Sequence, residues 1–243
     1  MYNRFMSSCK RKNTHRNKQR KTRKKRQLGG HTTVYPPVSI KQHIEHVIYI
    51  NLDSRPDRKA QIEKELQIFD KSQIHRIPGI VPEIQDTKHK TLALAKAHLN
   101  AIKHARDAGW KNTLFVEDDA VWTNIEKAYP IFERLLKQPY DAIMLGGHAP
   151  QYNSNTFRVK QATGGTAYFL KNSHFNIIIQ KIEEMILKCN PTTSTGLVSV
   201  DMVVFRELQR DYKWFIVVPG LMKQLAGHSD RTGVYTDYSS LQP

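Results

Sequence analysis

A chain of 243 residues with 39% apolar residues is long enough to bury one sizeable core, and its formal net charge of +16 raises the question of an anionic partner. Its two cysteines, Cys9 and Cys189, give no disulfide framework, and no apolar run approaches the roughly eighteen residues of a membrane span. The basic N-terminus is not followed by a signal-peptide core, the sequence lacks a Met-Gly start and a C-terminal prenylation cysteine, and the expectation is a soluble protein, cytoplasmic or peripheral to a membrane.

Residues 1–30 hold twelve Lys or Arg and no acid, which leaves only +4 for the remaining 213 residues. With almost no large apolar side chain after Met6, this arm lacks the surface needed to offset the entropy of ordering, and HTTVYPPV at 31–38 reads as a linker. The expected division is a basic disordered arm and linker over 1–42 and one α/β domain over 43–243. The arm reads as a solvated tail, as a nuclear-localisation or nucleic-acid patch, or as a docking site for an anionic membrane surface.

The domain is expected to open with a strand over 47–52, followed by an amphipathic helix over 57–69 with Ile62, Leu66 and Phe69 on one face. In the loop between them Arg55 and Arg58 flank Pro56 and Asp57. Two guanidinium forks beyond a strand's carboxyl end suit a nucleotide diphosphate, whereas the bland alternative makes Asp57 a helix cap and Arg58 a solvated side chain. A short strand over 74–77 and a helix over 92–108 follow. His98 lies on that helix among Leu94, Ala95, Leu99 and Ile102, which is also the setting of a packed core histidine.

A strand over 113–117 ends in Glu117, Asp118 and Asp119, three consecutive acids after the apolar run Leu114, Phe115 and Val116. Carboxylate oxygens at a strand end suit a hard divalent ion, Mn²⁺ or Mg²⁺, that also holds a diphosphate; the same residues serve elsewhere as helix caps or in phosphohydrolases. The remaining expected elements are a helix over 125–137, strands over 141–145 and 165–170, helices over 173–187 and 200–210, and a strand over 215–218. Gly164, Gly165 and Thr166 head an apolar strand, where they either allow close backbone approach to a sugar or form only a turn. Asp201 opens its helix as a candidate general base or as a cap. Strands alternating with helices favour a mainly parallel sheet.

Seven segments together resemble glycosyltransferase family 25, which includes bacterial lipopolysaccharide galactosyltransferases and procollagen galactosyltransferases. They are INLDSRPDR at 50–58, LALAKAHLNAIKHA at 92–105 with AGW after it, LFVEDD at 114–119, DAIMLGG at 141–147, TGGTAYFLKNSHF at 163–175, VDMVVF at 200–205 and PGLMKQLAGHSD at 219–230. Where the family reads Gly-Cys-x-x-Ser-His, this chain has Ala93, Leu94, Ala97 and His98, and only the histidine is kept. The resemblance implies a GT-A-type nucleotide-binding α/β sandwich with its ligand beyond the carboxyl ends of the strands. It further implies transfer of a hexose, galactose or glucose, from a UDP-sugar to a saccharide or glycoprotein acceptor with inversion.

In that scheme Asp119 is the leading metal ligand and His228 a second, while Glu117 and Asp118 meet the ribose or the metal's water shell. Asn51 and Leu52 line the base pocket, Arg55 and Arg58 meet the diphosphate, and His98, Gly165 and Thr166 belong to the donor site. His228 also reads as a surface histidine before a turn. Asp201 takes the acceptor's proton. A reading from a different class is a catalytically inactive transferase-fold protein that binds nucleic acid through its basic arm.

Overall fold

The computed structural model describes residues 35–37, 39–189 and 199–238, so the basic arm over 1–30 and Cys9 lie outside the described residues. The elements are α1 (Ile40–His43), β1 (His46–Asn51), α2 (Pro56–Glu65), β2 (Ile74–Pro78), α3 (Thr87–Asp107), β3 (Asn112–Glu117), β4 (Ala120–Trp122), α4 (Ile125–Leu136), β5 (Ala142–Met144), β6 (His148–Tyr152), β7 (Val159–Thr163), β8 (Ala167–Lys171), α5 (Asn172–Lys188), α6 (Arg206–Asp211), β9 (Trp214–Ile216), β10 (Met222–Gln224), β11 (Gly227–His228) and β12 (Tyr235–Thr236). A π turn over Asp201–Phe205 leads into α6.

The central sheet has the order β2-β1-β3-β8-β5-β9. The β1 pairings with β2 and β3 and the β5 pairing with β9 are parallel, and only β8 runs against its neighbours. The chain thus adopts the expected α/β sandwich around a mainly parallel sheet. Alternation along the strands explains the layers, because successive side chains leave opposite faces of a pleated strand. Ile48, Phe115, Tyr168 and Leu170 face one core, which α3, α5 and α6 cover. Val47, Tyr49, Leu114, Val116 and Phe169 face the other, covered by α2 and α4. Strands buried on both faces read as continuous apolar runs, which is why VIYI and LFV stand out in the sequence.

Packing reaches back before His43: Ile40 and Ile44 are fully buried, and Tyr35 packs against the same core while its hydroxyl donates to the Lys64 carbonyl. α3 starts at Thr87, five residues before the expected start, because Asp86 caps it by accepting from the His89 N–H at 2.8 Å. Three two-stranded pairs complete the topology: β4 with β10 joins distant segments, while β6 with β7 and β11 with β12 are local hairpins. The first of these brings residues 222–224 beside the acidic turn that follows β3.

Candidate active site

The parallel strands β1, β2, β3 and β5 all end on one side of the sheet, and the loops beyond those ends surround a cavity of about 430 Å³. That size suits a small-molecule ligand, and an open sheet places ligands at this edge. Asn51 and Leu52 come from the end of β1, Gly79 follows β2, Glu117 ends β3, and Gly147 follows β5. α3 supplies His98 to the wall, the π turn supplies Asp201, and the segment after β10 supplies Leu225, Asp230 and Arg231.

The acidic turn is built into a network. Asp118 Oδ2 accepts from Asn51 Nδ2 at 2.8 Å, and its Oδ1 accepts from the Arg58 guanidinium at 3.1 Å. The same Arg58 nitrogen donates to Asp119 Oδ2 at 3.2 Å, and Gln224 Nε2 donates to that oxygen at 3.1 Å. Asp119 is 8% exposed, and its Oδ1 is buried without a hydrogen-bond partner among the described residues. Burial, then repulsion from Glu117, pushes the Asp119 carboxyl well above the ordinary carboxylate range, against the pull of Arg58 and Gln224. Burial raises Asp118 too, opposed by its bonds to Asn51 and Arg58.

A buried, unpartnered carboxylate oxygen at a cavity wall is a costly arrangement unless a cation completes it. A divalent ion fits this donor set, with Asp119 Oδ1 as the protein oxygen, since Mg²⁺-type sites commonly use one or two carboxylates together with substrate phosphates. Among the described residues no group of three or more His, Cys, Asp or Glu side chains converges as an all-protein metal cage.

His228 is exposed and is not among the residues that line the cavity; its ring stands edge-on against Tyr235 at 5.5 Å, and its carbonyl accepts from Arg58 at 2.7 Å. Arg58 lines the cavity, whereas Arg55 is turned to other partners. Its Nε and Nη2 donate to Asp57 at 2.9 and 2.8 Å, and its Nη1 pairs with Asp230. The bidentate pair fastens the loop to the start of α2, so all three guanidinium nitrogens are in use.

His98 is buried at the cavity wall, with Nδ1 2.7 Å from the Tyr168 hydroxyl and Nε2 3.5 Å from Glu117 Oε1. Gly165 leaves room for the Glu117 carboxylate where it stands, since a Cβ at that position would lie 2.9 Å from Glu117 Oε1 and displace it. Thr166 is buried beside it, and its carbonyl accepts from the Glu117 N–H at 3.0 Å, joining the start of β8 to the end of β3. Asp201 reaches the other side of the same glycine pair, where its Oδ2 accepts from the Gly164 N–H at 2.7 Å. Gly164 has φ +110°, a backbone conformation that favours glycine. The cavity wall thus gathers Asn51, Leu52, Arg58, His98, Glu117, Asp118, Asp119, Gly165, Thr166 and Asp201, and leaves out the side chains of Arg55 and His228.

Four further residues were not singled out from the sequence. Gln224 bonds to Asp119, and Tyr168 bonds to His98. Lys90 and Arg231 line the cavity, and neither side chain enters an ion pair or hydrogen bond among the described residues. An unpaired basic residue carries no local sequence signal, whether on a helix like Lys90 or in a loop like Arg231; only its partners in three dimensions distinguish it from Arg55.

No protein-family model matches the chain, and no curated protein sequence matches it. Solved structures that it resembles include a glycosyltransferase involved in the glycosylation of the major capsid of PBCV-1, at 10% identity over 71% of this chain and 81% of that one, with a TM-score of 0.47. Another is mannose-1-phosphate geranyltransferase from Thermus thermophilus, at 10% identity over 73% and 75%, with a TM-score of 0.44. A third is 4-diphosphocytidyl-2C-methyl-D-erythritolsynthase from Anaerococcus prevotii, at 15% identity over 74% of each chain, with a TM-score of 0.41. These are likenesses of overall fold. Among the described residues no helix is long and apolar enough to cross a membrane.

Proposed function

We propose that this chain is a glycosyltransferase that moves a hexose from a UDP-sugar to a hydroxyl of a saccharide or glycoprotein, assisted by Mn²⁺ or Mg²⁺ and with inversion at the anomeric carbon. The observation that carries the reading is the buried, unpartnered Oδ1 of Asp119 on the wall of a cavity beyond the carboxyl ends of the strands. A bound divalent cation supplies charge stabilisation for the departing diphosphate. Asp119 holds it, with Gln224 and Arg58 fixing the other carboxylate oxygen.

The remaining roles follow from position. Asn51 and Leu52 meet the base, and Arg58 contributes positive charge beside the phosphates. Glu117 and Asp118 orient the ribose end, with His98 and Gly165 framing the sugar. The acceptor hydroxyl gives its proton to an Asp201 carboxylate oxygen as its own oxygen bonds to the anomeric carbon and the bond to UDP breaks. The Gly164 N–H keeps Asp201 pointed into the cavity while this happens. A phosphohydrolase would share the acids but gives no role to Asp201, which the Gly164 N–H holds at the cavity.

The test is a screen of UDP-sugars for hydrolysis by the full chain, with and without Mn²⁺, read by the release of UDP. Turnover of one UDP-hexose that depends on the metal and leaves an inverted sugar is the expected result. Metal-independent release, or none with any UDP-sugar, would refute the proposal.

A further inference from the structure

Tyr168 has no role in the mechanism above, yet it is buried directly behind the cavity wall, against His98. It is fully buried, stacked on Phe115 with ring centroids 5.2 Å apart and meeting the Phe205 ring at 4.9 Å. Its hydroxyl has one partner among the described residues, His98 Nδ1 at 2.7 Å. The opposite nitrogen of that imidazole, Nε2, faces Glu117 Oε1 at 3.5 Å, beside the gap that Gly165 leaves by having no Cβ.

The direction of the Tyr168 bond follows from what each group can donate. Burial, reinforced by the Glu117 charge, pushes the phenol well above its ordinary range, so the hydroxyl keeps its proton. A buried O–H needs an acceptor, and Nδ1 is the one within reach. If Nδ1 accepts, it carries no proton, and the imidazole's proton is on Nε2. The reverse arrangement would leave the phenol O–H buried without an acceptor and set a bare Nε2 lone pair against the Glu117 carboxylate. Both consequences are unfavourable.

We propose that Tyr168 is a positioning residue that locks His98 in its Nε2–H tautomer, so that the imidazole directs a hydrogen-bond donor at Glu117 and holds that carboxylate ready for the sugar nucleotide. His98 then acts as a donor at the cavity wall, and the proton-accepting role stays with Asp201. The tautomer follows from the buried bond alone, while its consequence for donor binding rests on the transferase reading.

Nitrogen-15 NMR of histidine-labelled full-length protein reads the tautomer directly, with His98→Gln used to assign the signal. The expected spectrum has a protonated Nε2 and a bare Nδ1; a proton on Nδ1 would overturn the proposal. In Tyr168→Phe, which removes one oxygen, the Nε2–H form should lose its dominance. KM for the UDP-sugar should rise roughly tenfold, the effect expected for loss of one oriented hydrogen bond, while kcat changes little. A folded Tyr168→Phe protein with unchanged tautomer populations and unchanged KM would also overturn it, as would a purely structural effect that lowers thermal stability and moves neither readout. The wild-type spectrum is decisive whether or not any donor is turned over, so failure of the transferase reading is told apart from failure of this one.

Discussion

Asp119 and the two arginines of the RPDR loop show how much a residue's function depends on which of its atoms are already engaged. Asp119 has one oxygen held by Arg58 and Gln224 and one left without a partner. Replacing it with Asn removes a charge and an oxygen ligand, so metal-dependent release of UDP should fall on the order of a hundredfold or more. Added Mn²⁺ should raise the melting temperature of the wild type and not that of the variant. Near-normal turnover in purified Asp119→Asn would return the acidic turn to a structural role. Arg55 is consumed by Asp57 and Asp230, whereas Lys90 and Arg231 stand in the cavity wall without side-chain partners among the described residues. Arg231→Ala and Lys90→Ala should therefore weaken UDP binding by roughly tenfold or more each, since a charge-assisted bond contributes about 1.5–3 kcal/mol. Arg55→Ala should act mainly on stability. Calorimetric titration with UDP decides the order, and a larger loss in Arg55→Ala than in the other two would contradict it. The acids were legible in the sequence because they end an apolar strand run; Gln224 and Arg231 were not, because each reaches the cavity from a segment distant in the chain, and neither was Tyr168, which acts from behind the wall through His98.

At the scale of elements, periodicity identified β1, β3, α3 and α5, whose buried positions repeat over five residues or more. It could not identify β4, β10, β11 or β12, which span two or three residues each, too few to show a period, and of which β4 and β10 are defined by pairing with each other across about a hundred residues. Asp201 stands at the start of a π turn, where the sequence led us to expect the first turn of an ordinary helix; such turns recur at functional sites, and here the carboxylate reaches the Gly164 N–H. One joint between elements makes a prediction of its own. His174, in the first turn of α5, is buried and accepts from the Trp214 indole N–H of β9 at 3.0 Å. Burial lowers it to about 4 from an ordinary value of 6.5, against an opposing pull from Asp141. Because the folded value is depressed, the unfolded chain takes up the proton first as pH falls through 6.5, and the folded state loses stability down to about pH 4. The loss between pH 7 and pH 5 should be on the order of 2 kcal/mol. His174→Gln keeps an acceptor for the indole without titrating, so its urea midpoints at pH 7 and pH 5 should differ less than those of the wild type. An equal pH dependence in both proteins would show that this joint does not sense acid.

For the whole molecule the uneven charge is the main constraint, since residues 1–30 hold twelve of the 38 Lys and Arg and none of the acids. Among the described residues the cavity wall is assembled from residues between Ile50 and Tyr238, and the core includes Ile40 with Tyr35 packed against it. Every residue given a role in the transfer therefore lies beyond the arm, and deleting residues 1–30 should leave UDP-sugar turnover unchanged within about twofold, a change of less than ~0.5 kcal/mol in the barrier. The arm's twelve cations are instead suited to a polyanion or an anionic membrane surface, where attraction weakens steeply with salt. Full-length and truncated proteins should be compared at low and moderate salt for turnover, for binding to duplex DNA and for binding to phosphatidylserine vesicles. The full chain should bind at least one of the two anionic surfaces at low salt and release it as salt rises, and truncation should abolish most of that binding. Binding to DNA together with an absence of turnover in the full chain would favour an inactive transferase-fold protein that uses the arm as its working part. A truncated protein that folds but releases no UDP, when the full chain does, would show that the arm completes the active site, and that a domain beginning near residue 43 is drawn too short.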